Sequence, residues 1–236
     1  MNKYTSFALA ALLIFAAAPV LAAPSAAIMA AVADAGRPDN DKSVDALRKP
    51  AETVDFAGVK PGDKVAELAP GAGYFTRIIA KTVGDGGKVY TYAGRPTVPA
   101  NPPVAANVIP VAGTNADFAV PEPVDVVWTS RNYHDFQNAM PDMSAYNKKV
   151  FAALKPGGTY FILDHAAAAD APDNVTSTMH RSKESTVRAQ VEAAGFRFVA
   201  SSDILRNTAD NRSERVQEQD VRGKTDQYLL KFVKPR

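Results

Sequence analysis

The stretch from Lys60 to Lys81, KPGDKVAELAPGAGYFTRIIAK, constrains this chain more than any other. It reads as a turn, a buried strand, a glycine-bearing loop and a helix. Pro61 fixes φ and Gly62 tolerates φ > 0, so Lys60-Pro61-Gly62-Asp63 has the chemistry of a turn. Val65, Ala66 and Leu68 make a short apolar strand. From Tyr74 onward, Phe75, Ile78 and Ile79 recur at helical spacing. The loop between them, Ala69-Pro70-Gly71-Ala72-Gly73, brings bare backbone amides and a helix N-terminus up to a small ligand. Glu67 sits near the carboxyl end of the strand, where open parallel sheets bind small molecules.

Strand and helix patterns alternate along the rest of the chain. Strands are expected at Val65–Leu68, Lys88–Tyr92, Val108–Val111, Val124–Thr129, Thr159–Asp164, Phe196–Ser201 and Tyr228–Val233. Helices are expected at Asp41–Lys49, from Pro50 until Gly58, from Tyr74, at Ala139–Leu154 and at Ser182–Ala194. Ala23 to Ala35 is alanine-rich and reads as a helix or a mobile lead segment. Ala93 to Ala106 is Pro-rich and reads as a loop. The alternation implies an α/β fold with a mostly parallel sheet covered on both faces. The helices before the first strand, over about 23–58, would cap one edge of the sheet or the ligand. The long charged segment Asp203 to Asp226 reads as a solvated loop or as a lid over the site.

The first residues carry an address. Met1-Asn2-Lys3 is a short positive start, Phe7 to Leu21 is nearly all apolar, and Val20-Leu21-Ala22 is a small-residue cleavage site. Pro19 interrupts the run, which is shorter than the roughly 20 residues that span a bilayer. Residues 1–22 are therefore expected to be a signal peptide, with a mature chain from near Ala23 that is periplasmic or secreted and keeps no stable membrane insertion. The remaining 23–236 suits one domain with a full core. The 236 residues carry 27 basic and 25 acidic side chains, without a basic run interleaved with aromatics, so a nucleic-acid partner is not expected. There is no cysteine, which excludes disulfides and thiolate nucleophiles.

Three segments together carry a resemblance: Val65-Ala66-Glu67-Leu68-Ala69-Pro70-Gly71-Ala72-Gly73, Val124-Asp125-Val126-Val127-Trp128, and Leu154-Lys155-Pro156-Gly157-Gly158-Thr159. In this order they resemble the class I S-adenosylmethionine (SAM) dependent methyltransferases over roughly Ala51 to Val233. The chain is most similar to exported predicted methyltransferases of unknown substrate. Those carry N-Y-H-D after the fourth strand and L-R-N followed by R-G-K-T-D near the end. Here these are Asn132-Tyr133-His134-Asp135, Leu205-Arg206-Asn207 and Arg222-Gly223-Lys224-Thr225-Asp226. The resemblance implies a three-layer Rossmann-like sandwich with a seven-stranded sheet, its last strand antiparallel. It also implies SAM as cofactor across the carboxyl ends of the strands.

The residues themselves separate SAM from a dinucleotide. A dinucleotide loop needs a third glycine, and Thr76 stands there. It also needs an acid about 20 positions on, where Tyr92 stands. SAM lacks a pyrophosphate and carries an ammonium that Glu67 can hold. The cofactor residues expected are Glu67, Ala69, Gly71, Gly73, Tyr92, Asn115, Asp117 and Arg131. Of these, Asn115 and Asp117 follow from the family's usual adenine contacts. Ala69 replaces the first family glycine, which is tolerable where φ stays negative.

Methyl transfer to a hydroxyl or protonated amine needs a base. The chain has 3 histidines, and His134 and His165 follow neighbouring strands, so both open at the edge that carries the glycine loop. The catalytic residues expected are His134, Asp135 and His165, with Asp135 or Asp164 orienting a histidine and His180 within reach of the same edge. The same atoms suit zinc, but no H-x-x-x-H spacing supports a metal and none is expected. The expected function is methyl transfer to a small molecule or an envelope component. The alternative is an exported ligand-binding protein on the same fold with altered catalysis.

Overall fold

A computed structural model describes residues 23–93, 105–113 and 115–236. The expected leader over 1–22 and most of the Pro-rich stretch after Ala93 lie outside the described residues. In chain order the elements are α1 (Ala26–Val32), α2 (Asp39–Lys42), α3 (Asp45–Arg48), α4 (Pro50–Ala57), β1 (Lys64–Leu68), α5 (Tyr74–Val83), β2 (Lys88–Tyr92) and β3 (Val108–Pro110). Then come a 3-10 turn (Asn115–Asp117), β4 (Val124–Ser130), α6 (Tyr133–Ala139), α7 (Met143–Ala153), β5 (Leu154–His165), α8 (Val175–Met179), α9 (Glu184–Glu192), β6 (Arg197–Ser202) and β7 (Gln227–Val233).

The strands form one seven-stranded sheet in the order β3-β2-β1-β4-β5-β7-β6. All neighbours are parallel except β7, which runs antiparallel to both β5 and β6. This is the α/β architecture the alternation implies. β1 pairs with β2 on one side and β4 on the other, so chain order reverses between β1 and β4. A crevice opens at the carboxyl ends of strands at such a reversal.

Strands buried on both faces need an apolar layer on each. On one face Ala66, Leu68, Tyr90, Val127, Tyr160 and Leu230 meet the buried side chains of α6, α7 and α9. On the other, Val65, Val89, Trp128, Phe161 and Leu229 meet α1, α4 and α5. Trp128 lies between Phe75 and Phe161, with ring centroids 4.9 and 4.1 Å away, and is fully buried. Truncating such a residue to Ala costs about 3–5 kcal/mol. The alanine-rich lead segment is a helix because Ile28 and Ala31 bury against this second layer and Ser25 caps it.

Helix boundaries depart from the sequence expectation where proline acts. Asp41–Lys49 is two short helices; Lys49 is left-handed at φ 41°, since Pro50 disfavours the α conformation before it. Pro141 likewise makes Met140 extended and splits the expected Ala139–Leu154 helix. Asp142 then caps α7 by accepting from Ser144 N and Ala145 N. The earlier piece, α6, starts at Tyr133, so the polar Asn132–Asp135 run is a helix start rather than a loop. α8 falls in a stretch for which no element is expected from the sequence.

The charged segment from Asp203 to Asp226 has no helix or strand but is not simply solvated. Arg181 and Asp210, both buried, are joined at 2.7 and 3.1 Å. Asp226, also buried, accepts from Asn207 N and Arg212 Nε, both at 2.9 Å. These contacts pin the segment to the start of α9 and lay it beside the crevice as a strap.

Candidate functional site

The crevice is a cleft of about 530 Å³ at the carboxyl ends of β1 and β4. It brings together Glu67, Ala69, Gly71, Arg131, His134, Asp135 and His165, as well as His180. Asn40, Val44 and Arg48 close it from the N-terminal cap, and Val216 and Gln217 from the strap. The cap is held in place by Tyr74, whose hydroxyl donates to Asp45 at 2.6 Å, and by Arg77, which donates to Asp41 at 2.7 Å.

Glu67, next to last in β1, has its side chain buried, and its Oε2 has no hydrogen-bond partner among the described residues. Burial pushes its carboxyl up to about 7, although the Thr76 hydroxyl and the Arg77 charge pull the other way. An orphaned carboxylate at a cleft wall is a seat for a cation. Gly71 and Gly73 are left-handed at φ 59° and 81°, and Gly73 starts the ten-residue α5. Space is open where a Gly71 side chain would stand, so the loop presents bare backbone there. Ala69 is also left-handed, at φ 49°, against the expectation of a negative φ. Its amide donates to Tyr92 O at 2.8 Å and its carbonyl accepts from Asn132 Nδ2 at 3.1 Å. These two bonds hold the strained turn.

A basic pole faces this acidic one. Arg131 has φ 60° and its amide donates to Leu163 O at 2.6 Å. Burial, then the neighbouring Arg48 charge, lower its guanidinium to about 10. Arg48 stacks on the Tyr74 ring, 4.2 Å from its centroid, and burial lowers it too. Among the described residues no carboxylate hydrogen-bonded to either arginine offsets that burial. Two half-desolvated guanidiniums that repel each other make a seat for an anion.

Behind the cleft, Asp164 organises the histidines. Its Oδ1 lies 2.8 Å from His134 Nδ1 and accepts from His165 N at 2.9 Å. Its Oδ2 accepts from His134 N at 2.9 Å and from Ser182 Oγ at 2.7 Å. Ser182 Oγ in turn accepts from the Tyr228 hydroxyl at 2.6 Å. Burial alone would raise Asp164, but the His134 charge and these donors bring it below the usual carboxylate range. A carboxylate accepts only, so His134 carries its proton on Nδ1 and turns Nε2 to the cleft. Burial acts to lower His134, and Asp164 outweighs it, so its net shift is upward. His165 goes the other way: burial drives it down to about 3, and its Nδ1 meets Thr225 Oγ1 at 2.7 Å. His165 is therefore a neutral wall of the cleft.

Gly73, between the cleft-lining Ala72 and Tyr74, is not itself in the lining, and three other expected cofactor residues also stand apart from this cleft. Tyr92 is in the core, its ring edge-on to Phe118 and its hydroxyl donating to Ala119 O at 2.9 Å, so it presents nothing to a ribose. Asn115 lines an adjoining pocket of about 290 Å³ with Ala69, Asn132 and Phe136, and its buried Oδ1 has no partner among the described residues. Asp117 is exposed on the 3-10 turn and lines neither pocket. Arg48 escapes the sequence reading, since it belongs to no motif, and Thr76 enters it only as the residue in place of a third glycine, not for its position beside Glu67.

No protein-family model matches the chain, and no curated protein matches it. Solved structures do. A SAM dependent methyltransferase from Aquifex aeolicus superposes with TM-score 0.59 at 18% identity, covering 84% of this chain and 98% of that one. The N-methyltransferase NodS from Bradyrhizobium japonicum gives TM-score 0.55 at 15% identity, covering 84% and 96%. Aeropyrum pernix fibrillarin, crystallised with natively bound SAM, gives 0.51 at 16%, covering 80% and 76%. At such identities the likeness establishes the fold alone: an α/β Rossmann-like sandwich of the kind these methyltransferases share.

Proposed function

We propose that the protein binds SAM in the cleft and transfers its methyl group to a small molecule or envelope component bearing an ionisable hydroxyl or amine. One observation carries the reading: His134, its Nδ1 held by Asp164, opens into the same cleft as Glu67, whose buried Oε2 has no partner among the described residues. The residues fit the cofactor's polar groups. Glu67 suits its ammonium, Arg48 and Arg131 its carboxylate, the Gly71–Gly73 loop its close approach, and Asn115 Oδ1 an adenine amino group. When bound, SAM supplies a methyl carbon on a sulfonium, and the C–S electron pair returns to sulfur on transfer.

The chain's own part is alignment and proton removal. His134 Nε2 takes the acceptor's proton as the new bond to carbon forms, and Asp164 stabilises the imidazolium. His165, kept neutral by burial, adds no positive charge beside the positive sulfonium. The cap and strap exclude water from an in-line displacement, for which alignment supplies much of the acceleration. Calorimetry with SAM and S-adenosylhomocysteine tests the reading; one-to-one binding is expected, and none at millimolar ligand overturns it.

The positive start, apolar run and small-residue site over residues 1–22 support export, with the mature chain acting in the periplasm or outside the cell. No described helix is long and apolar enough to cross a membrane. The mass of the protein in an osmotic-shock fraction tests this, and an uncleaved species retained in the cytoplasm overturns it.

A further inference from the structure

We propose that His134, Asp135 and His180 form a binding site for one divalent transition-metal cation of the zinc type at the mouth of the cleft. This goes beyond the methyl-transfer reading: a bound ion occupies the His134 Nε2 lone pair, so the metal-bound form and proton removal by free His134 are alternative uses of that atom, and in the metal-bound form an acceptor oxygen loses its proton on the ion instead. One ligand atom from each of the three residues lies within 4.8 Å of the other two. His134 Nε2 is 3.4 Å from Asp135 Oδ1, and His180 Nδ1 is 3.5 Å from the same oxygen. Both separations are long for a hydrogen bond. They match the edge of a tetrahedron with bonds of about 2.0–2.1 Å, which is about 3.3–3.4 Å. Two imidazoles and one carboxylate suit zinc, cobalt or iron(II) and not magnesium or calcium, which take oxygen ligands. The side toward the cleft leaves coordination positions for water or an acceptor oxygen.

Two further observations point the same way. The carboxylate behind His134 is placed as such carboxylates are behind metal-bound histidines: Asp164 takes the Nδ1 proton and leaves the Nε2 lone pair facing the other two groups. His180 is held in the left-handed region, φ 53°, at the end of α8. That conformation costs a histidine about 1–2 kcal/mol, and the ring's Nδ1 faces Asp135 Oδ1 at 3.5 Å. Residue spacing does not announce such a site, because its three ligands come from two segments that only the fold unites.

Arg215, exposed on the strap, places its guanidinium 3.0 Å from His180 Nε2. Donation there leaves the ring proton on Nδ1. Coordination through Nδ1 moves that proton to Nε2 and turns Arg215 out to solvent. The strap therefore competes with the ion for His180.

The test uses tag-free mature protein stripped with a chelator, because the 3 histidines of the chain all line this cleft and a tag would add others. Cobalt(II) added to it should give the visible d–d bands of a low-symmetry nitrogen–oxygen site at one equivalent, and zinc should remove them. His180→Ala and Asp135→Asn should each weaken binding by at least about 100-fold, while Arg215→Ala should bind as tightly or more so. Both ligand side chains are partly exposed, so melting curves should show the variants folded. No bands at millimolar cobalt, or one-equivalent binding that survives both ligand variants, overturns the site. SAM calorimetry on the same stripped protein reads the methyl-transfer proposal separately.

Discussion

Asp164 grips His134 twice, through the ring Nδ1 at 2.8 Å and the backbone amide at 2.9 Å. One fully buried carboxylate thus fixes both the start of α6 and the imidazole that the helix carries into the cleft. Asp164→Asn keeps the volume but replaces an acceptor oxygen with a donor NH2 among four donors. Breaking a buried charged pair from one side costs about 3–5 kcal/mol. Urea denaturation should show a loss of that order. Tyr228→Phe removes only the far end of the chain and should cost about 1–2 kcal/mol. Equal losses for the two would mean that Asp164 is not the hub.

Glu67 gives the apo protein a pH signature. Its folded carboxyl is raised to about 7 against an ordinary value near 4.5. A raised carboxylate leaves stability whole below the unfolded value; stability falls as pH rises toward about 7 and is level above it. The loss is on the order of 3 kcal/mol. Glu67→Gln should escape it, so the variant should exceed the parent in stability at about pH 8 and equal it at about pH 4.5. Paired urea titrations at the two pH values check this. A variant no more stable at the higher pH contradicts the orphaned-carboxylate picture.

The same carboxylate and the two arginines should read the amino-acid end of the cofactor. Glu67→Gln and Arg48→Ala should each weaken S-adenosylhomocysteine by about 10–100-fold, the worth of a charge-assisted hydrogen bond of about 1.5–3 kcal/mol. 5′-Methylthioadenosine lacks that end, and its affinity should be unchanged. Equal weakening of both ligands would place these side chains elsewhere in the site.

The glycine loop and Glu67 were legible because a strand, a tight turn and a helix start each leave local chemistry in the sequence. The sheet was legible because the buried middles of β4 (Val126, Val127, Trp128) and β5 (Tyr160, Phe161, Ile162, Leu163) are apolar runs. Tyr92 was misplaced because position after a strand does not say whether a side chain points to the ligand or the core; here the Ala119 carbonyl claims its hydroxyl. Ala69 was expected at negative φ because propensity favours it, and two hydrogen bonds override that preference. Arg48 and the strap residues Val216 and Gln217 reach the cleft only through tertiary contacts, which no spacing records.

That override at Ala69 has a measurable size. A left-handed L-residue costs about 1–2 kcal/mol, and glycine in its place adds about 0.5–1 kcal/mol of chain entropy. Ala69→Gly should therefore be neutral or stabilising by up to about 1 kcal/mol. Ala69→Val should lose at least about 2 kcal/mol, since a β-branched side chain is a true outlier there. Melting curves order the three proteins; a valine variant as stable as the parent would mean the turn is not left-handed.

The strap makes the last case. Arg181 and Asp210 are both buried and joined at 2.7 Å, and Asp210 also accepts from Asp226 N at 2.7 Å and Arg212 N at 2.9 Å. Asp210→Ala leaves Arg181 charged and unpaired in the interior, a loss of about 3–5 kcal/mol. The loss falls on contacts that hold 203–226 against the domain, while the sheet keeps both its layers. Local opening should then outrun global unfolding. Limited proteolysis of the variant should cut within 203–226 first and leave the rest of the chain intact, whereas the parent should resist under the same conditions. Cleavage spread over the whole chain would show that the latch supports the domain rather than the strap.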